Sequence, residues 1–139
     1  ILNTHSNKVT SVDDEIQFVE AYKYLLEIRF GNTLEISIKI TADALKCFIP
    51  PMSLQTLIEN AVKHNSFDEE RPLKIEILND YDYIIVRNNV SLSKPKTDSL
   101  KIGLENLRKR YSHLTKMNLQ TVVNNYFIVK IPILKTKVY

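Results

Sequence analysis

Residues 50–65, PPMSLQTLIENAVKHN, constrain the fold of this chain more than any other segment. Apolar residues recur there at the spacing i, i+3, i+4, i+7 and i+8, which predicts an α-helix with one face against a core. These residues are Leu54, Leu57, Ile58, Ala61 and Val62. Pro51 suits the first position of such a helix, since an N–H is not needed there. The rest of the chain must therefore supply a core that covers this face.

The other side of this helix is polar. Thr56, Asn60 and Lys63 form a second stripe, and Glu59 and His64 flank it. An amide, a carboxylate, an ammonium and an imidazole therefore lie within two turns, and such a set can hold a metal ion together with a polyanion. The same pattern also fits the solvated face of an ordinary amphipathic helix.

Five segments have β-strand patterns, at residues 34–40, 73–77, 83–89, 119–123 and 126–133. The third is apolar on both sides for four residues, which predicts a central strand. A long helix is predicted from a cap at Thr10 or Ser11 to Phe30, where Gly31 ends it. These elements predict an α/β two-layer sandwich: one mixed, mostly antiparallel sheet of about five strands, with three main helices on one face.

Gly103 precedes the third predicted helix, after a loop at residues 91–101 that is rich in serine and lysine. A helix start offers unpaired N–H groups to phosphates, and a glycine allows close approach, so this position is a candidate phosphate site. Lys94, Lys96 and Lys101 could add positive charge, although a solvated loop would have the same composition. Arg108 and Arg110 are interpreted as surface or packing residues.

Composition narrows the function classes. The 19 Lys and Arg residues barely exceed the 16 Asp and Glu residues, a balance that suits a small anionic ligand better than a nucleic-acid groove. The single cysteine, Cys47, excludes an internal disulfide and fits a reducing compartment. No apolar run is long enough to span a bilayer. The chain begins at Ile1, and we interpret it as a domain of a longer protein.

Two short sequence motifs resemble those of a known family. The first motif consists of Leu54-Gln55, Glu59-Asn60-Ala61 and Lys63-His64. The second consists of Ile102-Gly103-Leu104-Glu105-Asn106-Leu107 followed by Arg110-Tyr111. From about residue 10 to its end, the chain resembles the ATP-binding catalytic domain of sensor histidine kinases, which belong to the Bergerat-fold (GHKL) ATPases, and most closely the LytS-like branch. Two separated motifs in the right order are more specific than either alone.

The resemblance implies roles for individual residues. Asn60 would ligate Mg²⁺, Glu59 would lie by the γ-phosphate and orient the incoming histidine, and Lys63 would reach the phosphates. His64 belongs to the same nucleotide-binding motif. Gly103, Leu104 and, more weakly, Asn106 would contact phosphates or the lid over the nucleotide, whose place residues 91–101 occupy.

The chain departs from the family at two points. In Asn88-Asn89-Val90, Asn88 replaces the family's aspartate, which accepts from the adenine amino group, and no glycine follows. An amide oxygen can still accept that bond, and because an amide also donates, guanine selectivity is open. Alternatively, the two asparagines are only a strand-end turn. At Lys101-Ile102-Gly103 the first glycine of the family pattern is missing.

The implied function is the catalytic ATP-binding domain of a two-component sensor histidine kinase. It would use Mg-ATP to phosphorylate a histidine outside this chain, for relay to a response regulator, within a dimeric protein anchored in the membrane and exposed to the cytoplasm. Residues 1–30 would be a linker and helix leading from a missing dimerisation and phosphoacceptor region. Residues 31–139 would form the ATP-binding domain, into which that helix packs.

Three other functions are open at this point. Altered glycine boxes are compatible with a nucleotide-free scaffold that only mediates contacts between kinase and regulator. An anti-sigma-factor kinase of the same fold would phosphorylate serine instead. A nucleic-acid-binding module would need more positive charge and an aromatic platform than this chain provides.

Overall fold

The computed structural model describes residues 8–90 and 98–136. Within them the chain forms seven strands and four α-helices. In order these are β1 (Thr10–Ser11), α1 (Val12–Phe30), β2 (Leu34–Lys39), α2 (Ala42–Leu45), β3 (Phe48–Ile49), α3 (Ser53–Lys63), β4 (Leu73–Asn79), β5 (Tyr83–Asn89), α4 (Asp98–Ser112), β6 (Gln120–Val123) and β7 (Tyr126–Pro132).

Five strands make the main sheet, in the order β2-β4-β5-β7-β6. The pair β2–β4 is parallel, with Leu34 opposite Leu73, and the other pairs are antiparallel. β5 is the central strand, as predicted from a sequence that is apolar on both faces of the strand. The mixed, mostly antiparallel sheet of five strands is confirmed. β1 and β3 form a second, two-stranded sheet that was not predicted, because strands of two residues show no periodicity.

Helices cover one face of the sheet. Alternate residues of the central strands are buried against these helices, including Ile75 and Ile77 of β4 and Ile84 and Val86 of β5. They belong to the same core cluster as residues of α1, α3 and α4. On the other face, Arg87 binds Glu76 at 2.6 Å. The predicted two-layer α/β architecture is therefore confirmed.

The N-terminal helix α1 has the caps that its sequence predicts. Ser11 Oγ accepts from the Asp14 N–H at 3.0 Å, and Gly31 takes φ +57° at the other end, where its N–H donates to the Glu27 carbonyl. Val12, Val19 and Leu26 are buried in the same core as the sheet. No helix within residues 8–90 and 98–136 combines the length and apolar character that crossing a bilayer requires.

Helix α3 buries the face that its periodicity predicts, with Leu54 and Ile58 fully inaccessible. Its start was predicted wrongly. The helix begins at Ser53 rather than at Pro51, because Met52 takes φ +64°, a left-handed conformation that a right-handed helix cannot contain. Pro51 therefore lies outside the helix.

Helix α4 also begins elsewhere than predicted. It starts at Asp98, so Gly103 lies inside the helix instead of preceding it. The physical reason is the missing first glycine: Lys101 and Ile102 are residues that a helix accommodates, and nothing interrupts the helix between them and Asp98. The N–H of Gly103 lies beyond the first four residues, whose N–H groups are unpaired, and so takes part in the helical hydrogen bonds.

Candidate functional site

The two motifs meet where α3 faces α4. A Cβ atom added at Gly103 would lie 3.2 Å from Asn60 Nδ2, closer than side chains normally pack, so a larger residue at this point would require the Asn60 side chain to shift by a few tenths of an ångström. Asn60 Nδ2 is buried without a hydrogen-bond partner within the described part of the chain. Such an unpaired group costs about 1–3 kcal/mol, and in a native protein it calls for an explanation. A ligand that engages this amide would supply one.

Asn88 lies at the end of β5 on the face that the helices cover, in line with the buried residues Ile84 and Val86. It is only 3% exposed. Its Nδ2 donates to the Asn89 backbone carbonyl at 2.7 Å, while no described residue donates to its Oδ1. The amide oxygen is therefore oriented by its own NH₂ group and keeps its capacity to accept a bond from a ligand.

Asn89 belongs to the other face of the sheet, since neighbouring residues of a strand point to opposite sides. Its Oδ1 accepts from the Lys74 N–H at 2.8 Å and its Nδ2 donates to the Pro72 carbonyl at 3.0 Å. Both ends of the amide thus tie β5 to β4. The structure does not bring the Asn89 side chain together with Asn60 and Gly103.

Three other predicted residues lie along the outer side of α3. Glu59 is exposed and accepts from Gln55 Nε2 at 2.8 Å. Lys63 is exposed in the last turn. His64 is half-buried and ends the helix, with its N–H donating to the Asn60 carbonyl at 3.0 Å. The predicted polar stripe is therefore assembled on one surface of α3.

The second motif divides into a core residue and surface residues. Leu104 is buried in the core, whereas Asn106 and Lys101 are exposed. Of the predicted lid, Lys94 and Lys96 lie outside the described residues. Because α4 continues through Gly103, the expected free N–H groups are absent at that glycine, and any phosphate contact there would depend on close approach alone.

A buried carboxylate holds the first turn of α3. Glu15 of α1 is 5% exposed; its Oε1 accepts from the Met52 N–H at 3.0 Å and its Oε2 from the Leu54 N–H at 3.1 Å. Met52 itself makes no side-chain cap, so α1 supplies the cap for α3. Burial raises the pKa of Glu15 above its usual value, and the backbone N–H groups and the charge of Arg110 offset part of that rise.

Arg110 and Tyr111 of α4 complete this junction. Arg110 Nη2 donates to the Pro51 carbonyl at 2.6 Å. Burial lowers the pKa of Arg110, against the opposing influence of Tyr111 and Glu15. Tyr111 is 2% exposed, and burial raises the pKa of its hydroxyl well above the usual value. That hydroxyl has no hydrogen-bond partner among the described residues.

Sequence reasoning missed this junction. It gave α1 no role beyond packing, and it treated Arg110 as a surface or packing residue. One signal was available: Val12, Glu15 and Val19 share one face of the helix, so a carboxylate lies among its buried apolar residues. A buried carboxylate requires donors, and that requirement predicts a polar contact with another element.

A separate cleft of about 1010 Å³ opens beside β2 and β4, under the loop that joins α3 to β4. Its charged lining carries both signs, with Glu35 and Glu76 as well as Arg71 and Lys74. Neither Asn60 nor Gly103 lines it. A cleft of mixed charge is not suited to a polyanion, so the site between α3 and α4 is the better candidate.

The amide of Asn60 could serve a magnesium ion that arrives with phosphates: its Oδ1 could ligate the ion, while its buried Nδ2 could donate to a phosphate oxygen. Within the described residues, no group of three or more His, Cys, Asp and Glu side chains could hold a metal by itself. Mg²⁺ prefers oxygen ligands, keeps several waters, and is commonly held by one or two protein groups together with substrate phosphates. One amide oxygen from Asn60 is compatible with that pattern.

Comparison with known proteins places this geometry in context. No family model matches the chain. The sensor protein kinase HptS of Staphylococcus aureus (strain USA300) is 27% identical over 108 residues, which cover 76% of this chain and 21% of that protein. The chain thus spans about a fifth of the length of the curated relatives it matches.

Solved structures agree with this relationship. The cytoplasmic segment of histidine kinase QseC superposes with a TM-score of 0.62 at 18% identity, over 97% of this chain and 81% of that one. The nucleotide-free catalytic domain of histidine kinase ThkA gives 0.55 at 17% identity, over 90% and 95%. The fold is that of histidine kinase catalytic domains, and the resemblance indicated by the sequence motifs is confirmed.

Proposed function

We propose that this chain, which has the fold of histidine kinase catalytic domains, is the ATP-binding catalytic domain of a two-component sensor histidine kinase. The observation that carries the proposal is the contact between Asn60 and Gly103, with the buried, unpaired amide of Asn60. It supports a ligand site at the point where the two family motifs come together.

In this proposal the base of ATP lies against Asn88. The unpaired Oδ1 of Asn88 accepts a hydrogen bond from the adenine amino group, in a position from which water is largely excluded. A neutral acceptor binds more weakly than the aspartate of the family, so the affinity for ATP is modest. Competition between ATP and GTP measures whether the amide also accepts guanine.

The phosphates lie along the polar stripe of α3. Asn60 holds Mg²⁺ through its amide oxygen, and Lys63 offsets phosphate charge. Mg²⁺, when bound, neutralises charge on the phosphate oxygens. Phosphoryl transfer depends mainly on such positioning and charge neutralisation. Glu59 is exposed, which suits a residue that orients a histidine presented by another protein segment.

The relatives support a proposal for the activity of the whole protein. HptS is named a sensor protein kinase, and this chain covers only part of it. We propose that the γ-phosphoryl group passes to a histidine in a phosphoacceptor region outside residues 1–139, and from there to a response regulator. The linker role of residues 1–30, the dimeric state and the anchoring of the intact protein in a membrane belong to the same proposal.

Calorimetric titration with Mg²⁺ and a non-hydrolysable ATP analogue tests the site. We expect saturable binding by the wild type and at least a ~10-fold weaker Kd for Asn60→Ala, equivalent to about 1.4 kcal/mol. Asn118→Ala is the matched control, since it removes an exposed amide that belongs to neither motif. The unfolding free energy of Asn60→Ala should stay within about 1 kcal/mol of the wild type, because the lost amide is unpaired.

A nucleotide-free scaffold is the second candidate. The continuation of α4 through Gly103 favours it, because it removes the open helix start that would otherwise bind phosphate. The same titration discriminates between the two. If the folded wild type shows no binding up to millimolar ligand, the kinase proposal is wrong and the scaffold becomes the leading interpretation.

A further inference from the structure

We infer that Glu15 is a positioning residue for the nucleotide site: from α1, its carboxylate sets where α3, and with it Asn60, lies relative to α4. The inference rests on the proposed function, to which it adds a residue outside both family motifs. It begins from the contact of one buried carboxylate with two backbone N–H groups of a different helix.

Both oxygens of Glu15 are engaged at the first turn of α3, by the N–H groups of Met52 and Leu54. A helix moves as a nearly rigid rod, and Asn60 lies six residues beyond Leu54, about 9 Å along the axis. A rotation or shift of the first turn is therefore carried to Asn60. Since Met52 makes no side-chain cap, Glu15 supplies the side-chain cap of that first turn.

Helix α4 is attached to the same turn. Arg110 donates to the Pro51 carbonyl at one end of the helix pair, and Gly103 lies against Asn60 at the other. The two helices are thus joined at two places. At the Gly103 end the two helices approach closely: a methyl group added at Gly103 would lie 3.2 Å from Asn60 Nδ2, and Asn60 would have to move by a few tenths of an ångström to accommodate it. A displacement of the first turn of α3 would therefore alter the position of the Asn60 side chain relative to Gly103.

The composition of the junction supports positioning over simple stabilisation. A buried carboxylate loses its hydration, and replacing buried charges by apolar groups is often neutral or stabilising. A serine or aspartate at the helix start would cap α3 locally at lower cost. A charged cap brought from α1 is instead directional: it fixes two donors and faces Arg110 across the junction.

The test compares Glu15→Gln with the matched control Glu20→Gln, which changes an exposed glutamate of the same helix. Glutamine keeps the shape of the side chain but retains a single acceptor oxygen, so one N–H of α3 loses its partner. Two quantities are measured well below the unfolding temperature. They are the ¹H–¹⁵N resonances of the Asn60 side-chain amide and the Gly103 N–H without ligand, and the Kd for the non-hydrolysable ATP analogue with Mg²⁺.

We expect Glu15→Gln, and not Glu20→Gln, to shift the Asn60 and Gly103 resonances and to weaken binding by about 3- to 10-fold, the effect of one lost hydrogen bond of about 1 kcal/mol. Shifts confined to residues 52–55, with a Kd equal to that of Glu20→Gln, would show that Glu15 is only a cap and would overturn the inference.

Two further measurements keep the outcome decisive. If Glu15→Gln does not fold, Glu15→Asp replaces it, because it keeps the charge but shortens the reach to the N–H groups of Met52 and Leu54; unchanged Asn60 and Gly103 resonances in that variant would overturn the inference. If the wild type binds no nucleotide, the proposed function fails, and the resonances of the ligand-free protein alone decide whether Glu15 positions Asn60.

Discussion

The two ends of the α3–α4 helix pair are built in opposite ways. At the Pro51 end, the backbone groups of α3 receive charged partners from two other helices, Glu15 and Arg110. At the Asn60 end, a buried amide faces Gly103 and is left unpaired. Paired buried groups stabilise a fold, and an unpaired one needs an explanation, which a bound ligand would provide at Asn60. We call the Pro51 end of the helix pair the holding end and the Asn60 end the binding end.

The holding end has two exceptions, Gln55 Oε1 in the first turn of α3 and the hydroxyl of Tyr111, which are both buried without a hydrogen-bond partner among the described residues. The hydroxyl of Tyr111 is buried beside the charges of Arg110 and Glu15, and no described residue accepts from it. The aromatic ring fills the core, which accounts for its position. Packing does not explain the hydroxyl. Removing it therefore tests whether this buried polar group of the junction has a hydrogen-bond partner.

The largest effect is expected for Arg110→Ala. It removes a charged donor from the Pro51 carbonyl and the cation that faces Glu15, and should cost about 2 kcal/mol of unfolding free energy at neutral pH. Chemical denaturation measures it. Arg108→Ala is the matched control: its ion pair with Glu105 is at the surface, and the cost should stay below about 1 kcal/mol.

The cost of Arg110→Ala should also depend on pH. The folded-state pKa of Glu15 is already raised by burial, and losing Arg110 raises that pKa further. A carboxyl whose folded pKa is raised contributes stability below its unfolded value, near 4.5, and loses it as pH rises through the folded value. The deficit of Arg110→Ala should therefore be smaller at pH 4 than at pH 7. A deficit that grows on acidification would contradict the role given to Glu15.

Gly103→Ala should act on the binding end with a smaller effect. The added methyl group displaces the Asn60 amide and should weaken binding of the Mg-ATP analogue several-fold, by about 1 kcal/mol. Stability should change by less than that, because alanine favours a helix over glycine by about 1 kcal/mol and offsets the crowding. Calorimetry and denaturation measure the two quantities; a loss of stability without any loss of binding would reverse the assignment of this end.

Tyr111→Phe should have the smallest effect, and in the opposite direction. Removing an unpaired buried hydroxyl should leave the unfolding free energy unchanged or raise it by up to about 1 kcal/mol. Tyr83→Phe is the matched control, since its hydroxyl accepts from Gln120 Nε2 at 3.2 Å and its loss should be slightly destabilising. If Tyr111→Phe is the more destabilising of the two, the hydroxyl has a partner and the junction is more complete than described.

Local periodicity accounts for what could be predicted from the sequence. The buried face of α3, the central position of β5 and both caps of α1 depend on residues within a few positions of one another. The starts of α3 and α4 did not follow from local rules. One depends on the left-handed conformation of Met52, and the other on a glycine that the chain lacks.

The candidate site divides in the same manner. Motif resemblance was needed to join Asn60 to Gly103, since no local pattern relates them. The separation of Asn88 from Asn89 could have been predicted, because strand alternation places adjacent residues on opposite faces. Glu15 could not be matched to its partners, which lie 37 and 39 residues further along the chain.

That sequence separation has a consequence for how the protein folds. The first turn of α3 has no cap of its own and receives one only after α1 has docked, so the helix gains little from forming alone. The chain must close a loop of this length before the hydrogen bonds to Glu15 can form. We therefore expect the two helices to form together in a single cooperative step. A truncated protein that starts after Glu15 would therefore lose more than a peripheral helix: the segment that carries Asn60 would begin with unpaired N–H groups.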